Sequence, residues 1–242
     1  MSNIYLIRHG QAGTRENYDS LSPLGRRQSR LLGEYLVSQG IGFAAAYTGA
    51  MLRQQESAAE VRQAYARARL PFPEIQADEG WNEFDLARLY RELAPRLAAE
   101  NAVFRRQHAE FRRQAAQSAG SPDSPVHRQW QPCDTTLVEA WIAGRFPYEG
   151  ESWPQFCERV GGCRHKVCAL NGQQSVLVFT SAVPVAIWAG LSLAISDLRI
   201  MRLAGVLYNT AYSIMRSSGD DLRLLAFNAI PHLAGADLRT RR

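Results

Sequence analysis

Ile4 to Gln28 run I-Y-L-I-R-H-G-Q-A-G-T-R-E-N-Y-D-S-L-S-P-L-G-R-R-Q. The apolar run Ile4–Ile7, stopped at once by Arg8-His9-Gly10, predicts a short strand buried on both faces. Gln11–Leu21 is polar, with Gly13, Asn17, Asp19 and Ser20, and predicts a loop. Ser22-Pro23 then supplies an N-cap and a proline at the first helical position. Leu24, Leu31, Leu32, Tyr35 and Leu36 recur roughly on one face of the helix that follows, up to Gly40. Strand, loop and helix in this order make the first half of a β-α-β unit.

The alternation continues. Residues 42–47 form a second short apolar run, Thr48-Gly49 turns into a helix over 50–66, and Pro71-Phe72-Pro73 precedes a strand over 74–77. This order predicts an α/β fold, a mostly parallel central sheet with helices on both faces. Residues 86–117 contain no glycine and read as helix broken at Pro95. Residues 118–125, S-A-G-S-P-D-S-P, read as a flexible connection, and 135–143 and 153–170 as two further helices. The alternation resumes with a strand over 175–180 and a helix from Pro184 to Ala194. Strands over 206–215 and 222–227 follow, separated by a turn at 217–220. The expected organisation is one α/β domain over 1–242, interrupted by a helical insertion at 86–150, with no internal repeat.

Composition sets bounds on partners. The chain has 242 residues, 46% hydrophobic and 21% charged, which excludes a disordered chain. The net charge is +5, yet Lys166 is the one lysine among 28 basic residues. Arginine in such excess suits planar recognition of carboxylate and phosphate, but a coding bias is the reading preferred for it. A nucleic-acid partner is not expected. Residues 167–196 carry no charge and exceed the length of about 20 residues needed to span a bilayer. A turn at Asn171–Ser175 and Pro184 divide them into strand, turn and helix, so no membrane partner is expected either. Cys133, Cys157, Cys163 and Cys168 include no C-x-x-C pair, and His108, His127, His165 and His232 show no metal-ligand spacing. No metal, cofactor or disulfide framework is expected. The opening residues lack a signal-peptide pattern, which makes the cytoplasm the expected location. A homodimer through the sheet edges or the insertion is compatible with the sequence.

The residues that carry chemistry stand at the end of the first strand, where ligands bind in open α/β sheets. Arg8 beside His9 disfavours the imidazolium and leaves a ring nitrogen able to attack. The same guanidinium can clamp phosphate oxygens. Gly10 lets the chain turn and brings backbone N–H groups toward a ligand.

This stretch resembles the histidine phosphatase (phosphoglycerate mutase-like) superfamily. R-H-G-[EQ] is present as Arg8–Gln11, and L-[ST]-x-x-G-x-x-Q as Leu21–Gln28. The resemblance implies that His9 is the nucleophile and becomes phosphohistidine, that Arg8 binds the phosphoryl group, and that Asn17 and Gln11 add substrate contacts. A second block, Tyr47-Thr48-Gly49-Ala50-Met51-Leu52-Arg53-Gln54-Gln55-Glu56-Ser57-Ala58, resembles Y-[ST]-[SG]-x-[LM]-x-R-[ATQ]-x-x-[ST]-A. It implies a second phosphate cation, Arg53, near a helix N-terminus. A third, Glu79–Asp85, implies a general acid, with Glu83 favoured and Glu79 and Asp85 as competitors. Trp81 and Phe84 could desolvate it. The fourth departs from the pattern: where the family has [ST]-H-G-G after a strand, this chain has Thr180-Ser181-Ala182-Val183. Ser181 stands where the second histidine is expected, with Thr180 beside it, and the helix beginning at Pro184 is left to offer N–H groups. Asn209 matches a family strand and is expected near the pocket floor.

The function implied is a metal-independent phosphomonoester hydrolase working through His9, slowed by loss of the second histidine. The alternatives are a catalytically weak phosphate- or phosphoprotein-binding module and, ranked below it, a phosphoglycerate mutase. The partner implied is a small phosphorylated substrate or a phosphoprotein. The insertion would be the substrate-selecting cap. Arg105, Arg106, Arg112 and Arg113 within it read as a solvated face or as a cationic wall.

Overall fold

A computed structural model describes residues 2–15, 18–118, 123–168, 175–218 and 221–241. The expected connection at 118–125, the turns at 171–175 and 217–220 and the end of the helix at 153–170 lie partly outside them. The first strand, β1 (Ser2–Arg8), leads through the polar loop to α1 (Pro23–Ser38). Ser22 caps α1 as its residue type predicts, the side chain accepting from the Gly25 N–H at 3.0 Å. Next come β2 (Ala45–Thr48), α2 (Leu52–Arg67) and β3 (Ile75–Ala77). One core forms between these helices and one sheet face: Leu32 and Leu36 of α1 and Ala58, Val61 and Tyr65 of α2 meet Tyr5, Ile7, Ala46, Leu177 and Phe179. The strand residues in that set alternate along β1, as a pleat requires.

Two compact units divide the chain, one of residues 1–83 and 159–241 and one built from 84–158. The second is helical: α3 (Leu86–Glu92), α4 (Ala94–Glu100), α5 (Ala102–Gln117), α6 (Pro125–Arg128), α7 (Pro132–Ile142) and the first turns of α8 (Trp153–Gly162). Pro95 falls in the first turn of α4, where a missing N–H costs nothing, so the break it signals lies at Leu93. Inside this unit Phe84, Trp141, Trp153 and Phe156 stack in an aromatic cluster. Arg113 pairs with Glu110 on its own helix, and Arg105 donates to the Ala98 carbonyl.

Back in the first unit, α9 (Arg164–Cys168), β4 (Ser175–Thr180), α10 (Ala182–Leu193), α11 (Asp197–Val206), β5 (Tyr212–Ser218) and β6 (Asp221–Ala229) complete the chain. The six strands form one sheet in the order β3-β2-β4-β1-β5-β6. The first four are mutually parallel, β5 runs antiparallel to β1, and β6 runs antiparallel to β5. This is the mostly parallel α/β sheet that the strand–helix alternation implies. On the second face, Ile4, Leu6, Val176 and Val178 are fully buried, and α10 is buried from Val183 to Gly190. Among the described residues no helix is long and apolar enough to cross a membrane.

Two expectations change. The helix read as starting at Pro184 starts at Ala182, with proline at its third position, inside the turn whose N–H groups lack intrahelical partners anyway. The strand expected over 206–215 begins only at Tyr212. Val206 closes α11, and Thr210 bends the chain with φ +58°.

Candidate active site

The carboxyl ends of β1, β4 and β2 lie side by side. Arg8 is opposite Thr180, and Phe179 opposite Thr48. The residues that follow each strand therefore meet at one edge of the sheet, all within the first unit.

His9 is 2% exposed and held from several sides. Its backbone N–H donates to the Thr180 carbonyl at 2.9 Å, and its carbonyl accepts from Asn209 Nδ2 at 3.2 Å. The ring tautomer follows from its partners. Arg53 Nε can only donate, and it lies 3.2 Å from His9 Nε2, so Nε2 bears the lone pair. Nδ1 then carries the hydrogen and donates to the Gly10 carbonyl at 2.7 Å. Burial first, then Arg53, then Arg8, hold the His9 pKa well below the ordinary 6.5, outweighing the Gly10 bond. The imidazole is neutral, as the Arg8-His9 pairing implied.

Both arginines are fixed. Arg8, 5% exposed, donates to the Leu207 carbonyl. Arg53, also 5% exposed, donates through Nη1 to Asp19 Oδ1 at 2.9 Å and through Nη2 to Met51 Sδ at 2.9 Å. Its guanidinium lies 4.9 Å over the Tyr18 ring, and Tyr18 stands edge-on to His9 at 6.5 Å.

Gly10 has a role other than the one expected. Its N–H does not point toward a ligand but donates to Ser57 Oγ at 3.0 Å, and Ser57 in turn donates to the Arg53 carbonyl at 2.7 Å. A Cβ on Gly10 would collide with the Gly25 carbonyl, and one on Gly25 with the Gln11 backbone. The two glycines let the loop after β1 and the first turn of α1 touch backbone to backbone, which accounts for both R-H-G and L-S-x-x-G. Gln28 completes the brace: Oε1 accepts from the Gln11 N–H at 2.9 Å, and Nε2 donates to the Leu238 carbonyl at 2.7 Å.

Glu83 lies at the amino end of α10, Oε2 accepting from the Val183 N–H at 3.1 Å. The loop that carries it is pinned. Arg159 Nη1 donates to the carbonyls of Glu79, Gly80 and Asn82, at 2.8, 3.0 and 3.3 Å. Asp78 pairs with Lys166; burial pushes the Asp78 pKa up, but the Lys166 hydrogen bond, the Gly80 N–H and the charges of Lys166 and Arg159 together outweigh it and lower the pKa. Trp81 is fully buried, 5.3 Å from Trp188. The competing carboxylates go elsewhere: Glu79 is exposed, and Asp85 caps α3 in the second unit.

Several of the expected residues have partners within the protein. Gln11 Oε1 accepts from the Ser22 hydroxyl at 2.8 Å, which spends it on the start of α1. The Thr180 hydroxyl donates to the Trp81 carbonyl at 2.6 Å. Ser181 Oγ is 2.8 Å from Gln54 Nε2. Asn17 lies outside the described residues. Of the N–H groups expected at this helix start, Pro184 has none and that of Val183 donates to Glu83. Sequence reasoning gave no role to Ser57, Gln28, Arg159, Tyr18 or Asp19. Gln28 is the last position of the first quoted motif and Ser57 the last but one of the second, a signal that was present. Among the described residues no group of three or more His, Cys, Asp or Glu could hold a metal ion.

A family model described as "Histidine phosphatase superfamily (branch 1)" matches residues 4–135 and 120–230. The mitochondrial serine/threonine-protein phosphatase Pgam5 of Caenorhabditis elegans is 30% identical over 115 residues, 43% of this chain. That match spans only 40% of the length of this relative. Among solved structures, Bacillus stearothermophilus YhfR superposes with a TM-score of 0.65 at 20% identity, over 96% of this chain and 100% of the other. A mutant phosphoserine phosphatase of Entamoeba histolytica in complex with phosphoserine gives 0.61 at 14%, over 96% and 100%. Phosphoglycerate mutase from Bacillus anthracis gives 0.60 at 16%, over 96% and 95%. At these identities the likeness to solved structures is one of fold.

Proposed function

This chain belongs to the histidine phosphatase superfamily, and from that membership we propose that it is a metal-independent phosphomonoester hydrolase acting through a phosphohistidine at His9. The observation that carries the reading is the buried, neutral His9, its Nε2 lone pair facing Arg53. Arg8 and Arg53 neutralise the phosphoryl oxygens, the task a divalent ion performs in other phosphoryl-transfer sites. His9 Nε2 attacks phosphorus in line. The bond from phosphorus to the ester oxygen breaks as the bond to nitrogen forms, and Glu83 gives its proton to the leaving oxygen. Water then attacks the phosphohistidine and passes a proton to Glu83. Inorganic phosphate leaves, and His9 and Glu83 return to their starting states.

Ser181 in place of the second family histidine removes one cation from this pocket. Charge-assisted hydrogen bonds contribute about 1.5–3 kcal/mol, so turnover slowed by roughly one to two decades fits the remaining set. The substrate class is a small phosphorylated molecule or a phosphoprotein. The first is what the solved relative with phosphoserine holds, and the second is what the name of the nematode relative describes.

The test uses p-nitrophenyl phosphate without added metal, beside His9→Ala. Turnover that disappears in the variant supports the hydrolase. Saturable phosphate binding without turnover would make the chain a phosphate-binding module instead. Phosphoryl transfer to 3-phosphoglycerate would make it a mutase.

A further inference from the structure

Resting on the phosphoryl site proposed above, we infer that Gln54 is a positioning residue that turns Ser181 into a neutral hydrogen-bond donor for the phosphoryl group. Gln54 is fully buried, and its Nε2 lies 3.3 Å from the Trp81 carbonyl and 2.8 Å from Ser181 Oγ. A carbonyl oxygen accepts only, so the edge of the amide turned that way is its NH₂. One N–H goes to Trp81 and the other to Ser181. The Ser181 oxygen is therefore an acceptor in this pair, and its own hydrogen is left to point elsewhere.

Among the described residues no acceptor takes that hydrogen. Ser181 is 1% exposed, and its side chain makes no capping bond to α10, although it occupies the N-cap position. The two N–H groups such a cap would serve are gone: Val183 donates to Glu83, and position 184 is proline. A buried hydroxyl rarely leaves its donor unused. Ser181 follows Thr180 as His9 follows Arg8, and those two residues are partners in the parallel register of β4 and β1, strands about 4.8 Å apart. Ser181 and His9 thus follow neighbouring strand ends, on the edge where the phosphoryl oxygens would lie.

Gln54 holds this arrangement at a cost. Its Oε1 is buried without a partner, in space kept open by Gly49, whose Cβ would strike that oxygen. An amide in an otherwise unfavourable setting is consistent with a positioning role. The donor it sets up carries no charge, so its contribution is constant across about pH 5–8, where a histidine in its place would titrate.

Orthovanadate affinity of the full chain, together with kcat and KM for p-nitrophenyl phosphate, is measured for wild type, Gln54→Met, Ser181→Ala and the double variant. Each single substitution should weaken orthovanadate about tenfold. The double variant should be no weaker than Ser181→Ala alone, because Gln54 acts through Ser181. The ratio of wild type to Ser181→Ala should hold from about pH 5 to 8. Losses that multiply to about a hundredfold would overturn the inference, since Gln54 would then act independently. Unchanged affinity in Ser181→Ala would also overturn it. If circular dichroism shows Gln54→Met unfolded, Gln54→Asn, with its amide drawn back by one methylene, carries the same expectation. A wild type that binds orthovanadate with this pattern but hydrolyses nothing would defeat the hydrolase reading and leave the positioning role standing. A wild type that binds no orthovanadate would defeat both.

Discussion

Asp19→Asn should tighten orthovanadate binding, whereas most substitutions beside a binding site weaken it. Asp19 Oδ1 lies 2.9 Å from Arg53 Nη1, with the Asp19 side chain 60% exposed and the Arg53 side chain 6%. The carboxylate reaches in from solvent and covers the cation assigned to the phosphoryl group, so an incoming anion must displace it. Two effects compete. Neutralising Asp19 removes a rival for Arg53, and exposed ion pairs contribute about 0.2–1 kcal/mol, which corresponds to roughly a 1.4- to 5-fold gain in affinity. The opposing effect is a looser Arg53. It is small, because Nε stays on His9 at 3.2 Å and the guanidinium stays over Tyr18 at 4.9 Å. Asparagine also keeps an oxygen for the Leu52 N–H, which Asp19 Oδ2 accepts at 3.3 Å. The gain should win, and it should shrink in high salt, where the wild-type pair is already screened. The assay is inhibition of p-nitrophenyl phosphate hydrolysis by orthovanadate at two ionic strengths. Weaker inhibition of Asp19→Asn would mean that Asp19 braces Arg53 instead of competing for it, and the reasoning would fail.

Gly25→Ala should destabilise the fold by about 3 kcal/mol, the upper end for overpacking, because the added Cβ meets the Gln11 backbone and not a flexible side chain. Urea unfolding measures this, and unchanged stability would show that the two backbones do not touch. Burial lowers the His232 pKa from 6.5 to about 4. Between those values the unfolded chain binds a proton that the folded chain refuses, so this contribution is whole above about pH 6.5 and is lost as pH falls toward 4. By pH 5 the loss is about 2 kcal/mol. His232→Asn should lack that part of the slope in urea unfolding between about pH 7 and 5, and an unaltered slope would assign it to other groups.

Much of the fold was legible because its signals are local. The apolar run before Arg8, the Ser22-Pro23 start and the apolar run ending at Thr180 each announce their element within a few residues. Pro184 misled by two positions because proline suits any place in the first turn of a helix, not only its first residue. The helix over Asp197–Val206 went unread, although Ile200 and Ala204 are its buried residues at helical spacing, because the apolar residues around Val206 read as strand. In the site, His9, Arg8, Arg53 and Glu83 stand in motifs and meet at one edge. Their supports depend on pairs distant in sequence, such as Ser57 with Gly10, Arg159 with the Glu83 loop and Gln54 with Ser181, which periodicity cannot reveal. Gln11 stands in a motif and still serves α1, a choice settled by where the Ser22 hydroxyl sits.

The central claim is that Nε2 of a neutral His9 takes the phosphoryl group. Wild-type protein mixed with p-nitrophenyl phosphate and quenched in alkali, which spares phosphohistidine, should yield on peptide mass spectrometry and phosphorus NMR a single phosphorylated site, Nε2 of His9. Turnover in which His9 stays unmodified, or a phosphoryl group found on Nδ1 or on another residue, would contradict it.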